Sequence, residues 1–198
     1  MSSKLWSAVA VVVCAFAVVP WTNDGSKRAK VCFTPGDDCT RFITQQIAKA
    51  RSELLVQAYQ FTLMPIVDAI CEAKDRQVAV KVLLDRSNKK DKEPYAATVA
   101  RLEQCAEVLV DHGVQKAHNK ILVIDRTHVI TGSFNLTTSA ATRNAVNVVL
   151  IPDDPEVAEA FAGNFFKRAK APAPLKERPP RDADVSMSGA PTGATASP

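Results

Sequence analysis

One stretch limits the fold more than any other: "HNKILVIDRTHVITGSFN", residues 118–135. Two apolar runs, Ile121–Asp125 and Val129–Gly132, are separated only by a short turn at Arg126 and Thr127. Strands this close in sequence leave no room for the crossover helix that parallel neighbours need. Elsewhere, strand-like and helix-like segments alternate. A helix is expected over Thr40–Ser52, with Phe42, Ile43 and Ile47 on one side, and a strand over Leu54–Phe61. Pro65 suits the first turn of a helix running to about Lys74, and Val78–Leu84 reads as the next strand. A charged loop (85–94) and a helix from Tyr95 to about Ala106 follow, then short strands at Val108–Val110 and Ala145–Ile151. The final helix begins near Asp154 and offers Val157, Phe161 and Phe165 at helical spacing. Alternation with a closely paired middle indicates an α/β fold, with a mixed β-sheet flanked by helices.

The two ends read differently. Lys4 precedes an almost purely apolar run, Leu5–Val19, broken by Ser7 and ended by Pro20. That is short for a membrane span, which needs roughly 20 residues, but it matches a secretory signal. Ala15-Phe16-Ala17 offers a cleavage site, and Val13 before Cys14 departs from a lipoprotein signal. Residues 1–20 are therefore read as a signal for export to the periplasm or beyond, with an uncleaved membrane anchor as the alternative. Residues 171–198, rich in Pro, Ala, Gly and Ser, cannot bury enough apolar surface to offset ordering and are expected to be a disordered tail. The folded domain is assigned to 26–170. Within it lie Cys32, Cys39, Cys71 and Cys105, an even count that suits disulfides in an exported chain. Cys32 and Cys39 flank the turn-rich "FTPGDD" and are expected to pair. Cys71 and Cys105 then pair by elimination, with two free buried thiols as the alternative. There is no CxxC pair to suggest zinc.

Side chains along a strand alternate between two faces. His118 and Lys120 therefore share a face with Leu122 and Ile124, while Asp125 falls on the opposite one. An imidazole beside an ammonium suits an anionic group such as a phosphate. If the second strand of the pair is antiparallel, Ser133 and Asn135 come next to His118 and Lys120. This assembles an imidazole, an ammonium, a hydroxyl and an amide, the donors needed to hold a phosphoryl group under nucleophilic attack.

The joint pattern, HxKxxxxD followed closely by GSxN, resembles the phospholipase D superfamily through His118, Lys120, Asp125, Gly132, Ser133 and Asn135. The first half alone would arise by chance in roughly one such sequence in a hundred. The resemblance runs from about Val31 to about Lys170 and is nearest to the small, single-motif, exported bacterial endonucleases. It implies a phospholipase D-like α/β sandwich with two such motifs meeting across a twofold axis, hence a homodimer. It also implies a metal-independent phosphodiesterase without cofactor. One histidine attacks phosphorus and the other protonates the leaving alcohol. His118, Lys120, Ser133, Asn135 and Asp125 are the matched site residues. The implied substrate is nucleic acid, DNA with RNA also open. A phospholipid headgroup is an alternative, as is a catalytically weakened relative that binds nucleic acid without cutting it. One departure stands out. Where such members read N-x-E-N, with a glutamate supporting the catalytic histidine, this chain reads Asn144-Ala145-Val146-Asn147. Asp111 or a backbone carbonyl would then be the place to look for another support.

The remaining histidines lack a lysine two positions on. His128 is expected to be structural, and His112 a surface residue within reach of substrate. The net charge of +4 permits an anionic partner without requiring one. Lys89, Lys90, Lys92, Lys116 and Arg143 could line a groove for a polyanion, although each taken singly fits a solvated surface.

Overall fold

The computed structural model describes residues 28–88 and 91–170, so the expected signal segment and tail lie outside the described residues. The chain runs β1 (Lys30–Thr34), α1 (Cys39–Ile47), β2 (Glu53–Ala58), α2 (Met64–Asp75), β3 (Ala79–Asp85), α3 (Tyr95–Leu102) and β4 (Glu107–Asp111). It continues through β5 (Lys120–Ile124), β6 (His128–Gly132), α4 (Thr138–Thr142), β7 (Val146–Ile151) and α5 (Pro155–Ala169). All seven strands form one sheet, ordered β1-β7-β6-β5-β2-β3-β4. β2, β3 and β4 are parallel, as their helical connections require. Every other pairing is antiparallel, including β5 with β2 and β5 with β6. The mixed α/β sandwich expected from the sequence is therefore the observed fold.

Alternation along the central strands feeds two unequal cores. Leu54, Val56, Leu122, Ile124, Ile130 and Val148 point into the larger one beneath α1 and α2, together with Ile43, Ile66 and Ile70. Leu55, Leu83, Ile121, Val123 and Val129 face α5, which meets them with Ala158, Ala162 and Phe165. Val157 and Phe161 flank that stripe, half-buried rather than central. Asp154 caps α5 by accepting a 3.0 Å bond from the Val157 N–H, and Pro155 opens the helix. Both expected disulfides are present, Cys32–Cys39 and Cys71–Cys105.

Three boundaries differ from the sequence reading. The first helix stops at Ile47 instead of Ser52, because the chain must turn at 51–53 to enter β2. β1 was not foreseen. Its five residues form an edge strand, and only Cys32 and Thr34 of them are buried. The hairpin turn falls at Asp125 and Arg126, with φ of 51° and 54°, closed by a 3.1 Å bond from the Thr127 N–H to the Ile124 carbonyl. Two successive positive φ values match the right-handed twist of the flanking strands. Asp125 is therefore a turn residue, not the last residue of β5.

Candidate active site

His118 ends the loop that follows β4, immediately before β5. Its exposed ring has the Lys120 Nζ 2.9 Å from Nδ1 and 3.1 Å from Nε2. The ammonium also donates to the His118 carbonyl at 2.9 Å. Lys120 itself is only 8% exposed, rooted at the top of the larger core. Burial pulls its pKa down to about 8. The imidazole is also held below its ordinary pKa, first by desolvation, then by Lys120 and Lys116, with Asp85 pulling weakly the other way. A neutral imidazole beside a shielded ammonium is a nucleophile next to an anion holder.

The loop that carries His118 is tied down by two buried carboxylates paired across β3 and β4, Asp85 and Asp111. Asp85 accepts from the Ala117 N–H at 2.6 Å and the Ser87 N–H at 2.9 Å. Asp111 accepts from the Gly113 N–H at 3.0 Å and is clasped by Arg168 at 2.6 and 2.8 Å. Asp111 is thus committed to α5 and the loop. It is not the substitute support for His118 that the sequence left open.

The register Ile121↔Thr131 sets Lys120 across from Gly132, so Ser133 and Asn135 leave β6 at the end where His118 enters β5. Gly132 is required there. Its φ is +149°, and a Cβ would lie 2.3 Å from the Asn147 carbonyl oxygen. That close approach lets Asn147 brace Ser133 from several directions. The Ser133 N–H donates to Asn147 Oδ1 at 3.0 Å and the Ser133 hydroxyl donates to the same oxygen at 2.7 Å. In return, the Asn147 N–H donates to Ser133 Oγ at 3.0 Å. Because the backbone N–H fixes the amide oxygen on that side, the serine proton is engaged, and what Ser133 offers outward is a lone pair. This differs from the donor role expected from the sequence. Asn135 has the opposite character: its Oδ1 is buried without a protein partner among the described residues.

Asn147 is a residue that sequence reasoning passed over, and it sets a prediction. Asn147→Ala and Ser133→Ala should each lower kcat about tenfold, and the double substitution should be no worse than either. Additive losses in that cycle would show that the two side chains act separately.

Asp125 lies at the other end of β5, roughly 20 Å from His118 at strand rise. Its carboxylate accepts from the N–H groups of Arg51, Ser52 and Glu53 and from the Ser52 hydroxyl, at 2.7–3.1 Å. Burial alone would push its pKa up, but those donors outweigh burial and hold it below the ordinary carboxylate range. Grouped by sequence with the site residues, Asp125 is in this structure the clamp that fastens the hairpin to the start of β2. His128 sits at that same distant end and accepts from the Asp153 N–H at 2.9 Å, a structural role.

Tyr59 is a further residue the sequence did not flag. Its ring lies 4.5 Å from the His118 ring, with the Lys120 ammonium 5.2 Å and the Lys116 ammonium 5.7 Å from its centre. Asn88 holds this corner in place, donating to the Tyr59 carbonyl at 2.6 Å and accepting from the Phe61 N–H at 3.0 Å. Val146 occupies β7 on the same sheet face as Val148 and Lys120 and packs against the larger core. It gives His118 no acceptor.

Residues 43–169 match the family described as "Cardiolipin synthase, PLD-like domain". A phospholipase D of Rickettsia typhi is 42% identical over 146 residues, covering 72% of this chain and 68% of that protein. A mitochondrial cardiolipin hydrolase of Danio rerio is 30% identical over 68% of this chain and 59% of its own length. Among solved structures, Nuc of Salmonella typhimurium, a phospholipase D family member, superposes with a TM-score of 0.69 at 29% identity, covering 73% of this chain and 95% of that one. With its histidine and lysine at the mouth of such a sheet, the chain belongs to the phospholipase D superfamily, and its chemistry is that of a phosphodiesterase.

Proposed function

We propose that the protein hydrolyses phosphodiester bonds of nucleic acid without a metal, through a phosphohistidine formed in a site shared by two subunits. The observation that carries this reading is the His118–Lys120 pair: one accessible imidazole in contact with one ammonium, the one such pair among the described residues. In the first step an imidazole nitrogen attacks phosphorus. The P–N bond forms as the P–O bond to the leaving alcohol breaks, and that oxygen takes a proton from a second imidazole. Water then attacks the phosphohistidine, passes its proton to the second ring, and releases a phosphomonoester with both histidines restored. The two rings need opposite protonation states at the outset, so a chain with one motif requires a partner copy. Lys120 and the Asn135 amide offset charge on the phosphoryl oxygens, the task a metal would otherwise perform.

Nucleic acid is favoured over a lipid headgroup because the cleft beside His118 is lined by polar and aromatic side chains, without the apolar face that a bilayer surface requires. Export fits the two disulfides. The test is incubation of the purified protein with plasmid, single-stranded DNA, RNA and phosphatidylcholine vesicles, each with excess chelator. Cleavage of nucleic acid that survives chelation is the expected result. Loss with chelator and recovery with magnesium would refute the mechanism, and turnover of phosphatidylcholine alone would refute the substrate.

A further inference from the structure

Beside His118 opens a cleft of about 600 Å³, walled by Tyr59, Arg86, Ser87, His112, Gln115 and Lys116. It adjoins the reactive centre through Tyr59, whose ring touches His118 and lies under the Lys116 ammonium. We infer that this cleft holds the phosphate next to the one being cut, so that a substrate presenting consecutive phosphodiesters on one strand is preferred over one presenting a single phosphodiester. The inference rests on the nuclease reading above and narrows it.

Three features support it. Arg86, His112 and Lys116 form no ion pair with any carboxylate among the described residues, although all three border one opening. The carboxylate in the wall, Asp85, is 3% exposed and spends its oxygens on the Ser87 and Ala117 N–H groups, whereas Arg86 and Lys116 in the same wall have no carboxylate partner among the described residues. The Ser87 hydroxyl oxygen, in the same wall, is buried with no hydrogen-bond partner, a donor without an assigned acceptor. Unpaired cations and a spare hydroxyl fit a phosphate. They are wrong for the cationic choline or ethanolamine that a phospholipid would place beside the scissile bond, since like charges across a short gap repel. The volume also exceeds what a small headgroup would fill. Tyr59 then separates two anion positions, with Lys120 serving the reacting phosphate and Arg86 and Lys116 its neighbour.

The experiment compares a thymidine dinucleotide, which carries one phosphodiester, with the trinucleotide, which carries two. Wild type and Arg86→Ala/Lys116→Ala are assayed at several salt concentrations. Wild type should favour the trinucleotide by at least ~10-fold in kcat/KM, mainly through KM, and more steeply as salt falls. In the double variant that preference should collapse toward unity, and the salt slope for the trinucleotide should drop by about one to two. Dinucleotide turnover by the same variant preparation reports that its catalytic groups are assembled. Equal use of both substrates by wild type, or a preference that survives the double substitution, would overturn the subsite and leave the nuclease reading standing. Turnover of phosphatidylcholine with neither nucleotide cut would remove both.

Discussion

His118→Ala abolishes turnover, and dimers built from one His118→Ala subunit and one intact subunit are as inactive as the homodimeric variant. That is the expected result if both imidazoles are needed in one catalytic cycle. A subunit that acted alone would leave half the activity in the mixed dimer. The shared site leaves none, because the surviving ring can attack phosphorus or protonate the alcohol but not both. Co-expression of differently tagged subunits and two-step purification give the mixed species. Light scattering at assay concentration reports whether it is dimeric. An active monomer, or half-active mixed dimers, would sink the shared site. The loss is not an effect of unfolding, since the ring is exposed and stabilises little beyond its contacts with Tyr59 and Lys120.

The pH dependence follows from the same ring. His118 titrates below the ordinary imidazole value because it is partly desolvated and flanked by Lys120 and Lys116. The proposed shared site requires one neutral and one protonated copy, so kcat/KM should peak on the acid side of 6.5 and fall both ways from there. A second decline is expected as Lys120 loses its proton near pH 8. The dianionic charge that builds on the reacting phosphoryl group favours the protonated partner ring, which helps the general acid despite the absence of a carboxylate behind it. Val146 fills the position where the resemblance leads one to expect that carboxylate, and Asp111 is not its replacement, because it is held by Arg168.

The fold was legible where local chemistry and tertiary demand agree. β5 and β6 are apolar runs around a tight turn, and α5 announces itself by Asp154, Pro155 and a three-to-four residue apolar spacing. β1 was missed because five edge residues carry a weak pattern and draw their pairing from β7, more than a hundred residues away. The site was legible as residue types but not as roles. His118 and Lys120 stand together as their spacing in an extended chain requires. The motif places Asp125 five residues after Lys120, which suggests a shared task, yet a strand carries it to the far end of the sheet. Only its bonds to residues 51–53 show what it does. Ser133 reads as a donor from sequence because nothing local reveals that Asn147, across a strand pair, accepts its proton. Tyr59 and Asp85 reach the site through the parallel half of the sheet, and no spacing rule links them to residue 118.

Lys120→Met separates function from stability by moving them in opposite directions. Turnover should fall on the order of 10²-fold or more, because the ammonium is the charge nearest the reacting oxygens and the lost stabilisation is felt mainly in the transition state. Stability should rise. Burial depresses the folded pKa to about 8 from the ordinary lysine value of 10.5, so between those values the unfolded chain binds more protons. The cost of confining the charge is therefore fully present below pH 8 and fades as pH climbs toward 10.5. Methionine fills the same narrow channel above Leu122 and Ile130 without that cost. The net gain is about 1 kcal/mol, after allowing for solvent screening at the exposed His118 and for the lost bond to its carbonyl. That corresponds to a rise in Tm of ~2–6 °C at pH 7. The gap between variant and wild type should shrink when the melts are repeated near pH 10, where wild-type Lys120 is largely neutral in the fold. A variant that is both slow and less stable at pH 7 would mean that Lys120 holds the strand end together and that its charge is not what catalysis uses.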